Sequence, residues 1–253
     1  MTLYGADLAQ IQAAAFGDLA RQAAPELVAL LNASSIPVRR VYDVGCGAGV
    51  TTRALALAGF ETIAVEPSPH LLAIARAAAP SATFLNASAY DFEIRPCEAV
   101  LAIGEVLTYH PVEVDADARV RTFFRNVARA LAPGGRLVFD LIDADGPALD
   151  AKSWKGEAAW VILWETREDR AAARLTRSVE TFTREADGRY RRTAETHPVK
   201  LFREADVRAW LTDAGFDVHT ARAYGAVPLA PRRIAYVATR GAPDPLPAPA
   251  AMP

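Results

Sequence analysis

Cysteine is scarce in this sequence, which has only two in 253 residues, Cys46 and Cys97. Neither a disulfide framework nor a CxxC zinc motif can be built from two such residues. The N-terminus lacks a charged segment followed by an apolar one, and we find no run of about 18 apolar residues. These absences predict a cytoplasmic protein of a reducing compartment, with no membrane span and no metal site.

Positive charge is not in excess either. The 28 Lys and Arg residues are outnumbered by 30 Asp and Glu residues, which gives a formal net charge of -2. A surface built to bind nucleic acid normally carries a basic excess, so this balance predicts that nucleic acid is not a partner. The 51% hydrophobic content is typical of a globular core, and the length suits one α/β domain with an insertion.

Strands and helices alternate through most of the chain. Apolar strand patterns occur at "RRVYDVG", "ETIAVEP", "ATFLNA", "EAVLAIG" and "RLVFDLI", and two more occur at "FDVHTARAYG" and "RRIAYVATR". Alternation of this kind predicts a doubly wound, Rossmann-like α/β fold with seven strands, formed by residues 39–150 and 203–240. Two helices broken at Pro25 are expected within 1–38. Ser68 and Pro69 should open a later helix, and Pro-Gly-Gly at 133–135 should close another.

Residues 151–202 break the alternation. Strand patterns at "AWVILWET", "RLTRSVETFTRE" and "YRRTAETH" and a turn signal at 186–188 predict an inserted antiparallel β-meander. Its aromatic residues could line a substrate pocket or could pack the meander onto the domain: Trp160, Trp164, Phe182, Tyr190 and Phe202. The Pro- and Ala-rich residues 241–253 are expected to be disordered.

A glycine-rich turn follows the first strand and has the pattern D-x-G-x-G-x-G, from Asp43 to Gly49. A dinucleotide-binding turn would need a third glycine at position 50, where the residue is Val50, and a Walker loop would need a lysine. An acid, Glu66, ends the next strand. The turn therefore predicts a ligand site of another kind.

Together with "LAPGGRLVFDL", these features resemble motif I and the following acidic motif of class I S-adenosylmethionine-dependent methyltransferases, from about Tyr4 to about Arg240. The resemblance implies S-adenosylmethionine as cofactor, with Glu66 binding the ribose hydroxyls and Asp43 ordering the turn. It implies that the cofactor is contacted by these residues: Tyr4, Asp43, Gly45, Cys46, Gly47, Gly49, Glu66, Pro67, Ser88, Ala89, Ile103 and Gly104.

The adenine contact is the weak point of the resemblance. Many family members have an acid just after the third strand, and the aligned residue here is Ser88. Ser88, Ala89 or the backbone of Tyr90 could serve instead, and each could equally belong to an ordinary loop.

The segment after the fourth strand, "AIGEVLTYH", should lie at the ligand-binding edge of the sheet. It is not the D/N-P-P-Y motif of enzymes that methylate DNA bases. Since a hydroxyl acceptor needs a base and an amine must arrive neutral, we take Glu105, Tyr109, His110 and His197 as catalytic candidates. Tyr4 and Phe16 could cap the cofactor, and either Arg232 or Arg233 could meet an acidic substrate or pair at the surface.

These features predict a methyltransferase acting on nitrogen or oxygen of a small molecule, in a monomer or homodimer, with residues 151–202 as a substrate lid separate from the cofactor site. The resemblance is to enzymes acting on amino sugars or glycine. Two alternatives stay open: methylation of RNA or protein, and a non-catalytic module that binds S-adenosylmethionine.

Overall fold

A computed structural model describes residues 3–241. Its main sheet has the strand order β10-β13-β5-β4-β1-β2-β3. Strands β1 to β5 are mutually parallel, and β13 runs antiparallel to both of its neighbours. The bounds are β1 Arg40–Val44, β2 Glu61–Val65, β3 Thr83–Leu85, β4 Cys97–Ala102, β5 Leu131–Ile142, β10 Phe216–Ala221 and β13 Arg233–Arg240. The predicted α/β, doubly wound, seven-stranded fold is confirmed, whereas most of the predicted disordered tail, residues 242–253, lies outside the described residues.

Six α-helices lie in the described part of the chain: α1 Ala6–Ala15, α2 Asp18–Asn32, α3 Val50–Leu57, α4 Pro69–Ala78, α5 Ala116–Ala130 and α6 Glu204–Asp213. Ser68 caps α4 as predicted, because its hydroxyl accepts a hydrogen bond from the Leu71 amide at 3.3 Å. A short 3₁₀ turn, Val106–Thr108, follows β4. No helix among these is long and apolar enough to cross a membrane.

Two predicted helix boundaries were wrong. Pro25 lies inside α2, and the break between the first two helices falls at Phe16 and Gly17. Pro25 cannot donate to the Arg21 carbonyl, and both residues are exposed, so the helix continues on a face that solvent can reach. Helix α5 ends at Ala130, before Pro-Gly-Gly, because the residue preceding a proline favours extended backbone; the segment forms the irregular start of β5.

Strand β4 lies in the centre of the main sheet, buried between layers of helices, which explains its apolar sequence. Val100, Leu101 and Ala102 have no exposed surface, as expected for a central parallel strand. On the adjoining strands, the rings of Phe139 and Tyr236 stack with centroids 4.7 Å apart. This rigid sheet places the carboxyl ends of β1, β2 and β4 along one edge, where the predicted site residues follow.

The chain after β5 forms a second, four-stranded antiparallel sheet of β6 Ala151–Glu157, β7 Trp160–Asp169, β8 Arg174–Arg184 and β9 Tyr190–Lys200. We call it the meander; its first strand was not predicted. The turn signal at 186–188 is confirmed, with Gly188 at a φ of 84°. The predicted strand "FDVHTARAYG" is not continuous. It divides into β10 and the first strand of a short hairpin, whose strands β11 Ala223–Tyr224 and β12 Val227–Pro228 have two residues each.

Three of the five aromatic residues predicted for the insertion serve packing. Trp160 and Trp164 pack with Leu8 and Ile11 of α1, and Phe202 lies in the main core. Tyr190 is instead 52% exposed. The meander therefore rests on the N-terminal helix α1.

Arg232 fastens the meander to the main domain. Its guanidinium donates to both carboxylate oxygens of Glu168 on β7, at 2.8 and 2.9 Å, and to the carbonyls of Asp143, Ala144 and Pro147. The side chains of Arg232 and Glu168 are 3% and 1% exposed. The prediction that this arginine meets a substrate or pairs at the surface was therefore wrong, because buried partners use its hydrogen-bond donors.

Candidate active site

The glycine-rich turn lies between β1 and α3. Gly45, Gly47 and Gly49 have φ values of 67°, 55° and 82°, in the left-handed region that glycine adopts without a steric cost. The amides of Gly45 and Cys46 both donate to the Val65 carbonyl, which binds the turn to the end of β2.

The three glycines differ in what surrounds them. A Cβ atom at Gly45 would lie 2.5 Å from the Val106 side chain, and one at Gly49 would lie 2.8 Å from the Cα of Ala75. A Cβ at Gly47 would meet no atom within 4 Å, and the same is true at Gly104 after β4. Gly45 and Gly49 are thus required by packing, whereas the backbone at Gly47 and Gly104 faces open space that a ligand can use.

Glu66 contacts the turn directly. One carboxylate oxygen accepts from the Gly47 amide at 3.0 Å, and the other accepts from the Ser68 amide at 2.8 Å. Burial raises the pKa of Glu66, although these two amide hydrogen bonds act in the opposite direction. Each carboxylate oxygen keeps a second lone pair, so the group can still accept from ligand hydroxyls.

Asp43 lies beneath the turn and is 2% exposed. Its Oδ2 accepts a hydrogen bond of 2.6 Å from the Thr52 hydroxyl of α3, which ties the strand to the helix. Burial raises the pKa of Asp43 to about 7. The geometry favours the turn-ordering function that the sequence suggested, with Thr52 as a partner that it did not suggest.

The raised pKa of Asp43 predicts a pH-dependent stability. The folded protein holds the proton more tightly than the unfolded chain, so this stabilisation is complete below about pH 4 and is lost as pH rises through 7. Asp43→Asn cannot titrate. Between pH 5 and 8 the wild type should lose about 2–3 kcal/mol of unfolding free energy relative to this variant, measured by denaturant unfolding. The exposed Asp217→Asn should follow the wild type, and parallel pH profiles for Asp43→Asn and wild type would contradict the assignment.

The other predicted cofactor contacts lie around this turn. The Cys46 side chain is buried against Ala64 and Ala75, and burial raises the pKa of its thiol. Pro67 is exposed, and its carbonyl accepts from the side-chain amide (Nδ2) of Asn86 at 3.0 Å. Ile103 is partly buried beside the open backbone of Gly104.

The loop after β3 uses its own polar groups. The Ser88 hydroxyl accepts from the Tyr90 amide at 3.2 Å, so it closes a local turn. Ala89 lines a cavity of about 210 Å³ between this loop and α5. The structure therefore singles out no side chain in this loop for adenine.

The segment after β4 is held in a strained conformation. Glu105 has a φ of 65°, which is uncommon for a residue other than glycine, and Gly104 has a φ of 96°. Both amides donate to the Asp140 carboxylate on β5, at 2.7 and 2.9 Å. Tyr224 donates to the same carboxylate at 2.8 Å. Asp140 thus fixes the backbone that faces the site.

Glu105 lies between two arginines. Its carboxylate binds Arg177 of β8 at 2.7 Å and also binds Arg233 of β13, which lies 3.3 Å from Asp140. Burial raises the pKa of Glu105, but the two guanidiniums outweigh burial and leave the pKa below its usual value. A carboxylate held in this way is a poor proton acceptor, so the geometry favours an electrostatic role.

Tyr109 lies beside this charged group, which we call the Glu105 cluster: Glu105, Asp140, Arg177, Tyr224 and Arg233. Arg177 donates to the Tyr109 hydroxyl at 3.2 Å, and the Tyr4 hydroxyl lies 3.4 Å from it. The His197 ring packs against Tyr4 and Tyr109, with centroids 5.2 and 6.2 Å apart. The structure therefore brings together three predicted residues from distant parts of the chain.

His110 lies apart from that group. It has no exposed surface, and its Nε2 lies 3.0 Å from the Leu107 carbonyl and 3.1 Å from the Tyr90 hydroxyl. Burial lowers the pKa of His110 to about 4. A neutral histidine enclosed by Tyr90 and Phe202 suits packing better than acceptor chemistry.

Several site residues carried no sequence signal that we used. Asp140 sits in the predicted strand "RLVFDLI", where an acid within an apolar run is a signal of a buried, paired charge. Arg177 and Glu195 sit on strands that carry many other charged residues. The sequence pattern therefore could not distinguish these two inward-facing side chains from exposed ones. Arg233 was one of two candidates, and it binds Glu105 and Asp140 rather than a surface partner. Within residues 3–241, no group of three or more His, Cys, Asp or Glu residues is placed to hold a metal ion.

Comparison with known proteins identifies the family to which this chain belongs. Residues 16–221 match the family described as "Methyltransferase domain". A dTDP-3-amino-3,4,6-trideoxy-alpha-D-glucopyranose N,N-dimethyltransferase of Streptomyces venezuelae is 29% identical over 215 residues, which is 82% of this chain and 83% of that protein.

Solved structures agree in fold. An S-adenosylmethionine-dependent methyltransferase of Clostridium acetobutylicum superposes with a TM-score of 0.78 at 17% identity, over 93% of this chain and 98% of that chain. The sugar N-methyltransferase KedS8 of Streptoalloteichus superposes with a TM-score of 0.73 at 23% identity, over 96% and 97%. The chain therefore belongs to the methyltransferase-domain family, and its fold is that of the class I S-adenosylmethionine-dependent enzymes.

Proposed function

We propose that this chain transfers a methyl group from S-adenosylmethionine to a nitrogen or oxygen atom of a small molecule. The observation that carries the proposal is the edge of the sheet where Gly47, beside the buried carboxylate of Glu66, and Gly104, at the end of β4, face open space. Of the two atom types, nitrogen is favoured, because the Streptomyces venezuelae relative is named as an amino-sugar N,N-dimethyltransferase.

The residues present fit the cofactor. Glu66 offers two buried carboxylate oxygens for a ribose diol, and Gly47 lets the backbone approach closely. When bound, S-adenosylmethionine supplies a methyl group activated by its sulfonium. The protein's task is then to hold the acceptor in line and to exclude water, and orientation of this kind can contribute about 7–11 kcal/mol to lowering a barrier.

His197 is the residue that we assign to proton transfer. Its Nε2 lies 2.8 Å from the Glu195 carboxylate, so Nε2 carries the hydrogen and Nδ1 is left to accept a proton. Tyr109 and Tyr4 lie against its ring and would position the acceptor. The paired charges of the Glu105 cluster would give the acceptor side a polar wall without net charge.

The meander would act as the lid over the acceptor. It contributes His197 and Arg177 to the site, and Arg232 holds it to the main domain. Its strand β9 also contacts the N-terminal segment, so this segment would join the lid to the cofactor side.

Binding of the reaction product S-adenosylhomocysteine tests the cofactor assignment. Isothermal titration should show binding to the wild type and no binding of NAD. Glu66→Ala should weaken the affinity by about 1.5–3 kcal/mol, or about 10- to 100-fold, because hydrogen bonds to a charged group are lost. Glu61→Ala is the matched control, since Glu61 lies at the other end of β2 and is exposed. Binding of NAD alone would reject the proposal.

Turnover separates the alternatives. Incubation with S-adenosylmethionine and a panel of amino sugars, sugar nucleotides, amino acids and phenols should release S-adenosylhomocysteine with at least one small acceptor. Release only with RNA or protein added would favour the macromolecular alternative. Binding of the cofactor with no release on any acceptor would favour a non-catalytic module.

A further inference from the structure

Glu195 on β9 binds the N-terminal segment of the chain. One carboxylate oxygen accepts from the Gly5 amide at 2.8 Å, and the other accepts from the Tyr4 amide at 2.8 Å. The second oxygen also lies 2.8 Å from Nε2 of His197. A single carboxylate therefore holds both the start of the chain and the proposed base.

The N-terminus of α1 explains why this contact is needed. Gly5 is the N-cap and has no side chain to accept from the first amides of the helix. Glu195, supplied by a strand about 190 residues away, accepts instead from the backbone amides of Tyr4 and Gly5, just before the first helical residue, where the helix dipole favours a negative charge. Helix α1 also packs on the meander through Leu8 and Ile11.

The other side of Tyr4 leads to the cofactor site. Its carbonyl accepts from the Ser68 hydroxyl at 2.7 Å, and the Ser68 amide donates to Glu66 at 2.8 Å. Tyr4 has a φ of 57°, a conformation that a residue other than glycine keeps only when its surroundings enforce it. A continuous chain of contacts thus runs from His197 through Glu195, Tyr4 and Ser68 to Glu66.

We propose that Glu195 is a positioning residue that couples the acceptor side of the site to the cofactor side. This inference rests on the proposed function of Glu66 and His197. Glu195 holds residues 4–5 across the edge of the sheet and fixes the tautomer of His197 with the same carboxylate. Loss of the carboxylate would therefore free the N-terminal segment and the proposed base at the same time.

Coupling of this kind is reciprocal. If an ordered N-terminal segment favours cofactor binding, then cofactor binding must favour the ordered segment by the same free energy.

Glu195 is charged at neutral pH. Burial raises its pKa, but the hydrogen bonds from His197, Gly5 and Tyr4 outweigh burial and hold the pKa below its usual value.

Hydrogen exchange and titration with S-adenosylhomocysteine test the proposal. In the wild type, the product should slow amide exchange in residues 3–15. Glu195→Ala should speed that exchange without ligand, abolish the protection by ligand, and weaken product binding about tenfold, or about 1.4 kcal/mol. The matched control is Glu180→Ala, an exposed meander carboxylate paired with Arg192, which should behave as the wild type.

Two further variants separate the contacts. Glu195→Gln keeps one acceptor oxygen and should show intermediate protection and affinity. His197→Ala leaves both amide contacts in place, so product affinity should stay within about twofold of the wild type. Unfolding temperatures show which variants remain folded, and Glu195→Gln carries the test if Glu195→Ala does not fold.

A purely structural cap gives a different result. Exchange would then rise equally with and without ligand, while product affinity stayed at the wild-type value, and this outcome would overturn the proposal. Wild-type exchange in Glu195→Ala would overturn it as well. If the wild type binds no S-adenosylhomocysteine, the proposed function fails together with the coupling, whereas exchange without ligand still shows whether Glu195 holds the segment.

Discussion

Replacement of Arg233 by methionine is expected to lower the free energy of unfolding by about 3–5 kcal/mol, because it leaves buried carboxylates without a cation. Arg233 binds both Glu105 and Asp140, which are 7% and 0% exposed in their side chains. Glu105 keeps Arg177, but Asp140 pairs with no other cation among the described residues. Denaturant unfolding at pH 7 measures the effect.

Two variants make this result specific. Arg233→Lys keeps the charge but not the planar fork, so its stability should fall between wild type and Arg233→Met. Arg192→Met removes an exposed meander arginine paired with Glu180, where solvent screens the charges, and should have a much smaller effect. Equal effects of Arg233→Met and Arg192→Met would show that the Glu105 cluster does not stabilise the fold.

Loss of the proposed base should have the largest effect on turnover. His197→Ala is expected to lower kcat by about 10²–10⁴-fold, the usual contribution of a general base, once an acceptor is known. Since His197 contacts the acceptor side, affinity for S-adenosylhomocysteine should change far less. Steady-state kinetics paired with a product titration separates the two effects.

The control for this prediction is another histidine. His219 is exposed on β10, so His219→Ala should retain wild-type turnover. Tyr109→Phe removes the hydroxyl that Arg177 contacts and should raise the KM for the acceptor more than it lowers kcat. A His197→Ala enzyme with full kcat would reject His197 as the base, and the reaction would then depend on positioning alone.

Local rules in the sequence were enough for the main fold. The glycines of the turn, the acid after β2, the cap at Ser68 and the apolar strands each follow from the conformation of a few neighbouring residues. The errors at Pro25 and at Pro-Gly-Gly arose where solvent exposure or strand pairing changed the outcome of a local rule. The cofactor-side candidates also followed from local rules. Gly47 and Glu66 come directly after two neighbouring parallel strands, and they are in contact in the structure.

The acceptor side could not be derived from local rules. Tyr4, Tyr109 and His197 were named as candidates, but their contact depends on how the meander and the N-terminal segment pack together. His110 follows Tyr109 in sequence and nevertheless points into the core, because the turn after β4 sends neighbouring side chains in different directions.

The sequence by itself thus determined a doubly wound domain with a glycine-rich turn and an acid beside it after the next strand, because parallel strands bring their carboxyl ends to one edge. Only the tertiary structure decided that Glu105 is held between Arg177 and Arg233, and that Glu195 binds the start of the chain. Those contacts join residues about 70 to 190 positions apart, and their charges are paired by burial and packing of whole sheets, which no spacing in the sequence encodes.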